Sequence, residues 1–280
     1  MLIQRLLAAI VLIPLVLIIL FFAPLSVFVV IMMIIGGIAA WEWAQFLHIT
    51  NQQNKLFFAL LMVVILAVLY FIPISIELKL TLYSVILSLS IVWWLIALIL
   101  VMTYPKTAHY WFNSITLKLL FAFFTLVPFF LGMVGLRSVN YSSNCYTGAT
   151  LLLYVFVLVW ATDTGAYFAG RSFGKRKLAP KVSPGKTVEG FIGGVSLAVV
   201  ISVLAYFSNL INIKFNVFFI SSLLAILVSV LGDLTESMFK REAGIKDSGN
   251  LIPGHGGLLD RIDSLTAAVP IFTVLSLHLL

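Results

Sequence analysis

Charge is what this chain has least of. Only 10% of its 280 residues are Asp, Glu, Lys or Arg, where soluble globular chains carry about 25%. With 62% hydrophobic residues and a mean hydropathy of +1.16, that scarcity excludes an ordinary water-soluble domain. Cysteine is nearly missing too. The single Cys145 excludes an intrachain disulfide. There is no internal repeat and no polar linker that would cut the chain into separate domains.

What is present in abundance is long apolar sequence. Several runs reach about 20 residues, the length needed to cross a hydrocarbon core of about 30 Å. Unsatisfied backbone is costly in lipid, so such spans are helices. The expected fold is an all-α, polytopic membrane protein with about nine transmembrane helices. They fall near 4–22, 25–47, 56–72, 80–102, 119–136, 149–170, 190–210, 215–236 and 264–280. The first run follows a short basic segment, as a signal peptide would, but it is too long for one and reads as a retained helix. Residues 1–145 read as amino-terminal helices and 146–280 as a catalytic region with two polar loops, in one continuous membrane domain.

The basic residues orient the spans. With a cytoplasmic amino terminus, 14 of the 17 Lys and Arg residues fall on inner segments. Only Lys79, Arg137 and Lys214 fall outside, which follows the positive-inside rule. The formal charge of +7 is therefore mostly topology, with some attraction to anionic lipid heads. No nucleic-acid partner is expected. A tight turn at Ala23–Pro24 is the weak point: were residues 4–47 a re-entrant pair or one broken helix, the parity would need re-examination, but both polar loops would stay on one side.

The acids are concentrated. Eight of ten lie between residues 163 and 263, leaving only Glu42 and Glu77 elsewhere. Asp163, in VWATDTGAYFAG, sits about seven residues inside its span, or roughly 10 Å deep at 1.5 Å per residue. An intramembrane carboxylate is a functional candidate by default, although a hydrogen bond to Thr162 or Thr164 would also account for it. In LVSVLGDLTESMFKREAG, Asp233, Glu236, Ser237 and Lys240 fall on one helical face. Two carboxylates one turn apart suit Mg²⁺, which takes one or two carboxylates plus substrate phosphates and water; an ion-pair ladder with Lys240 is the plainer alternative.

Further on, LIPGHGGLLDRID places His255 between glycines and puts Asp260, Arg261 and Asp263 just before the last span. A short connection brings Asp260 to a depth similar to Asp233, so the two could share a metal, and Arg261 could grip phosphate in a bidentate fork. The other polar loop contains SPGKTVEG. It is not a P-loop, because the required first glycine is Pro180 and no preceding strand is expected. Ser183 as N-cap and Pro184 at the first helical position would start a helix. Its free N–H groups, with Lys186, would then face an anion. An ordinary capped helix start is the alternative.

The run SMFKREAGIKDSGNLIPGHGGLLDRID, Ser237–Asp263, resembles the signature of the phosphatidate cytidylyltransferases. Ser237, Lys240–Arg241, Lys246–Asp247, His255–Gly256–Gly257, Asp260–Arg261 and Asp263 carry the resemblance. Asp163–Gly194 is similar to a second block of that family, and AAWEWA, Ala39–Ala44, to a third. The resemblance implies an integral membrane enzyme that joins CTP to phosphatidic acid, giving CDP-diacylglycerol and pyrophosphate. It also implies a likeness in setting: a homodimer in a bacterial inner membrane, dependent on Mg²⁺ with a monovalent cation such as K⁺ beside it. By position, Asp233 and Asp260 match the family's metal-binding aspartates, and Ser183, Lys186 and Thr187 its substrate-binding segment.

The candidate catalytic residues are thus Asp233, Asp260, Lys240 and Asp263, with Asp233 and Asp260 also the candidate metal ligands. Ser183, Lys186, Thr187, Lys246, Asp247, His255 and Arg261 are candidates for substrate binding. Asp163, Glu189 and Glu236 complete the set. Two other readings remain at this point: a CTP-dependent kinase of polyprenols or dolichol, and an ion-coupled transporter using Asp163 and Asp233. Transporters usually carry paired half-repeats, which this chain lacks.

Overall fold

A computed structural model describes residues 2–208, 210–211, 213–251 and 256–278, with side chains from residue 10 to residue 277 within those ranges. The helices are α1 (Leu2–Phe22), α2 (Leu25–Trp43), α3 (Gln52–Phe71), α4 (Ile76–Thr103), the short α5 (Ala108–Trp111), α6 (Ile115–Ser138), α7 (Cys145–Phe173), α8 (Val188–Phe207), α9 (Phe215–Glu242) and α10 (Leu259–His278). Between α7 and α8 lie two strands, β1 (Lys177–Ala179) and β2 (Ser183–Thr187).

Among the described residues seven helices, α2–α4 and α6–α9, are long and apolar enough to cross a membrane, against about nine expected. Of the other two long helices, α10 opens with Asp260 and Arg261 in its first turn. The bilayer-facing character shows on the outside: Phe57, Leu95 and Ile99 are all exposed. Apolar side chains exposed in such numbers fit hydrocarbon as their solvent.

Polar side chains cap the starts of several helices. Asn51, Ser75, Ser114 and Asn144 each accept a bond from a backbone N–H of the first turn of α3, α4, α6 and α7, satisfying donors that the helix itself cannot. The expected helix start at Ser183 is corrected. Ser183–Thr187 is a strand, paired antiparallel with β1 through Lys177↔Thr187 and Ala179↔Ser183. The N-cap is Thr187, whose hydroxyl accepts from Gly190 N at 3.1 Å. A strand does therefore precede the helix, contrary to expectation, but Pro180 still rules out a P-loop.

Two clusters tie the helix ends together. At one end, Phe239 of α9 is buried among Trp43, Trp111 and Phe121, at ring separations of 5.2, 5.3 and 5.7 Å. At the other, buried Arg137 donates to Cys145 O at 2.9 Å and Ala23 O at 3.2 Å, joining the α6–α7 and α1–α2 connections. The α1–α2 and α6–α7 connections thus meet at one end, and the ends of α2 and α9 meet α5 and the start of α6 at the other.

Candidate active site

The polar residues collect where α7, α8, α9 and α10 meet at the Phe239 end. Close packing sets their positions. A Cβ on Gly232 of α9 would lie 2.5 Å from Asp263 O and 3.2 Å from Ser264 Cα of α10, so only glycine allows these helices to approach here. That contact also fixes the register: Asp263 is level with Asp233. The expectation that Asp260 shares Asp233's depth is corrected, because Asp260 sits one turn nearer the helix end, an offset of about 4–5 Å along the axis. The reason is antiparallel geometry, in which moving forward along α10 means moving back along α9.

At that outer level, Lys240 Nζ is 2.9 Å from Glu236 Oε2 and 2.7 Å from Asp260 Oδ1. This is the ion pair of the expected helical stripe, but buried, with side-chain exposures of 13% for Lys240, 5% for Glu236 and 6% for Asp260. The other oxygen of Asp260 accepts from Ser248 N at 2.8 Å and Gly257 N at 2.7 Å. One level deeper, Asp233 is held by Lys186 Nζ at 2.6 Å and by Ser237 Oγ at 3.3 Å. Asp263 accepts from its neighbour Ser264 N at 2.6 Å and interacts electrostatically with Asp233.

Asp163 is about 15 Å from the end of α7, which continues to Phe173 rather than ending near Gly170. It lines the same cavity as Lys186 and Asp233, a space of about 470 Å³ that Arg171 and Thr187 also line. A second, of about 810 Å³, is mostly apolar, walled by Leu98, Val101, Leu227, Leu231 and Leu234, with Lys106 and Lys181 also on it. Leu178, Phe191 and Val230 line both. Tyr104 also lines the apolar cavity. Burial, and then Glu242 beside it, pushes its phenol up to about 12, so its hydroxyl stays a donor at neutral pH.

Other candidates fall outside this cluster. Ser183 opens β2, facing Ala179 across the hairpin. Glu189 accepts from Lys175 N, Arg176 N and Arg176 Nε at 3.0–3.1 Å, which latches the α7–β1 connection to the start of α8. Lys246 and Asp247 are exposed on the α9–α10 connection, and Arg261 on the first turn of α10. His255 lies outside the described residues. One buried acid had no role assigned from sequence: Glu42, at the end of α2, accepts from Leu258 N and Leu259 N. Its signal was there, since it is a lone carboxylate at the end of an apolar span, the criterion that picked out Asp163.

The donor set fits a hard divalent cation. Asp233, Glu236, Asp260 and Asp263 gather at the facing ends of α9 and α10 around two lysines, Lys186 and Lys240, with Glu236 and Asp260 almost fully buried. Among the described residues no three acids, histidines or cysteines form a ready-made cage. Mg²⁺ is typically held by one or two carboxylates and completes its shell with substrate phosphates and water. The lysines now paired with Asp233 and Asp260 are the cations that would have to give way.

Comparison with known proteins follows the same line. A family model described as "Cytidylyltransferase family" matches residues 3–279. A phosphatidate cytidylyltransferase of Haemophilus influenzae is 47% identical over 290 residues, covering 98% of each chain. One from Pseudomonas aeruginosa is 41% identical over 276 residues, covering 98% of this chain and 97% of that protein. One from Bacillus subtilis is 39% identical over 176 residues, covering 63% of this chain and 64% of that protein.

Proposed function

The chain belongs to the cytidylyltransferase family, and from that premise we propose that it transfers CMP from CTP to phosphatidic acid, releasing pyrophosphate and leaving CDP-diacylglycerol in the membrane. One observation carries the choice of substrates. A charged cavity with Lys186 and Asp233 and a larger apolar cavity share the wall Leu178, Phe191 and Val230. A molecule with a phosphate head and acyl chains matches such a pair, whereas a transported ion has no use for the apolar half.

In this reading a phosphate oxygen of phosphatidate attacks the α-phosphorus of CTP. A P–O bond forms there, the α–β bridging P–O bond breaks, and its electrons leave with pyrophosphate. No covalent enzyme intermediate is needed, so catalysis is positioning and charge stabilisation. Lys186 and Lys240 leave their carboxylates for phosphate oxygens, joined by Lys246 and Arg261. Asp233 and Asp260 would hold Mg²⁺, with Asp263 and Glu236 adjacent; that ion would neutralise charge on the phosphates. A monovalent cation such as K⁺ would find further oxygens in the same cluster. Asp163 faces the charged cavity, and Thr187 and Ser183 bracket the strand that carries Lys186.

The catalytic elements lie within 146–280, with residues 1–145 supplying supporting helices. Homologues from bacteria and the inward bias of Lys and Arg support an inner-membrane enzyme with its site toward the cytoplasm; the homodimer is what the family resemblance implies. The test uses purified protein, phosphatidate and Mg²⁺ with CTP labelled at either the α or the γ phosphate. The α label is expected in lipid and the γ label in pyrophosphate. The γ label in lipid would instead make this a lipid kinase.

A further inference from the structure

Glu42 is 3% exposed and is separated by more than 200 residues from every group it binds. Its Oε1 accepts from Leu258 N at 2.9 Å, and its Oε2 from Leu259 N at 2.7 Å and Ser248 Oγ at 3.1 Å. Two of these donors are backbone N–H groups at the start of α10, which have no partner within the helix, and a carboxylate there is further favoured by the helix dipole. Gln45, one turn on, donates its side-chain amide to Ser248 O. The end of α2 therefore grips both strands of the α9–α10 connection.

The glycines of the connection make room for that grip. A Cβ on Gly257 would sit 2.5 and 2.6 Å from the two Glu42 oxygens, and one on Gly249 would lie 2.9 Å from Glu42 Cδ. Neither position tolerates a side chain while the carboxylate is in place. Beyond the grip lies Asp260. Ser248, held by Glu42, donates its N–H to Asp260 Oδ2 at 2.8 Å, and its hydroxyl accepts from Asp260 N at 3.3 Å. Gly257 N adds a bond to the same oxygen at 2.7 Å.

We propose that Glu42 is a positioning residue, which through Ser248 and the first turn of α10 sets where the Asp260 carboxylate points. Its effect on turnover rests on the reading under Proposed function; its effect on the connection does not. All three of its partners present hydrogens, so an acceptor-only carboxylate suits them and an amide does not. In Glu42→Gln the new NH₂ must face one of the backbone N–H groups.

The experiment has two arms. Hydrogen exchange of peptides covering 246–262 is expected to quicken in Glu42→Gln, with the β1–β2 hairpin unchanged. Turnover per folded molecule is expected to fall about ten- to a hundredfold, the scale of a small misplacement, with KM for CTP held within about twofold. Unchanged exchange overturns the grip, and quickened exchange with wild-type kcat overturns the positioning role. A rise in KM for CTP with kcat intact overturns it too. If Glu42→Gln does not fold, Ser248→Ala decides: it removes the hydroxyl link and leaves both helix caps. A fall in kcat of about three- to tenfold supports the proposal and a wild-type kcat sinks it. A wild-type protein that leaves the α label out of lipid removes the reading under Proposed function, while the exchange arm still decides whether Glu42 holds the Asp260 segment.

Discussion

Replacing Lys240 by Met isolates the electrostatics of the site. Its ammonium lies between Glu236 at 2.9 Å and Asp260 at 2.7 Å, and the three side chains are only 13%, 5% and 6% exposed. Methionine keeps much of the apolar stem and removes the charge. Two carboxylates then remain in a poorly solvated place without their shared cation. Removing one partner of a buried pair costs about 3–5 kcal/mol, whereas an exposed pair is worth about 0–1 kcal/mol. Each kcal/mol moves a melting temperature by about 2–4 °C in chains near this size, so melting in detergent should drop by roughly 6–20 °C. Adding Glu236→Gln to the variant removes one of the stranded charges and should recover part of the loss. The readouts are thermal unfolding of the wild type and both variants in one detergent, at one pH and without divalent cations. A Lys240→Met protein that melts within about 2 °C of wild type would show that water reaches these carboxylates freely, and the picture of a dehydrated charge cluster would be wrong.

Three other outcomes are expected. Lys186→Ala, which frees Asp233 and removes a phosphate partner, should raise KM for CTP more than tenfold or so, the scale of a lost charge-assisted bond, and steady-state kinetics with either substrate varied will show whether phosphatidate is affected instead. Leu231→Trp fills the apolar cavity; in mixed micelles it should raise the apparent KM for phosphatidate and leave that for CTP unchanged. Gly232→Val pushes a side chain against Asp263 O and should cost about 1–3 kcal/mol by overpacking, seen as a lower melting temperature.

The helices and the grouping of polar residues at one end were legible because both follow from rules that act along the chain: apolar length, and the cost of charge in lipid. Asp233 and Lys240 share a helix, so their common face could be read from spacing. Register between helices could not. Gly232 gives no hint in sequence that it touches Asp263, so spacing alone sets Asp260 level with Asp233, where the structure sets Asp263. The hairpin was hidden for a local reason. Ser183-Pro-Gly-Lys-Thr contains Pro and Gly, poor strand formers, and Ser-Pro is a common helix opening. The strand exists through backbone pairing with Lys177–Ala179, which a propensity argument does not contain. Glu42 was visible as an isolated acid, but its partners lie more than 200 residues away and two of them are backbone groups.

The central claim is that Asp233 and Asp260, brought to the same end of α9 and α10, hold a divalent cation for the phosphates. Manganese binding to the purified protein, followed by electron paramagnetic resonance in the presence of CTP, tests it most directly. The account predicts a bound Mn²⁺ signal in the wild type that is lost in Asp233→Asn and in Asp260→Asn, with turnover down by about a hundredfold or more in each, the scale of a lost charge-stabilising group. Wild-type manganese binding together with wild-type turnover in either variant would contradict it.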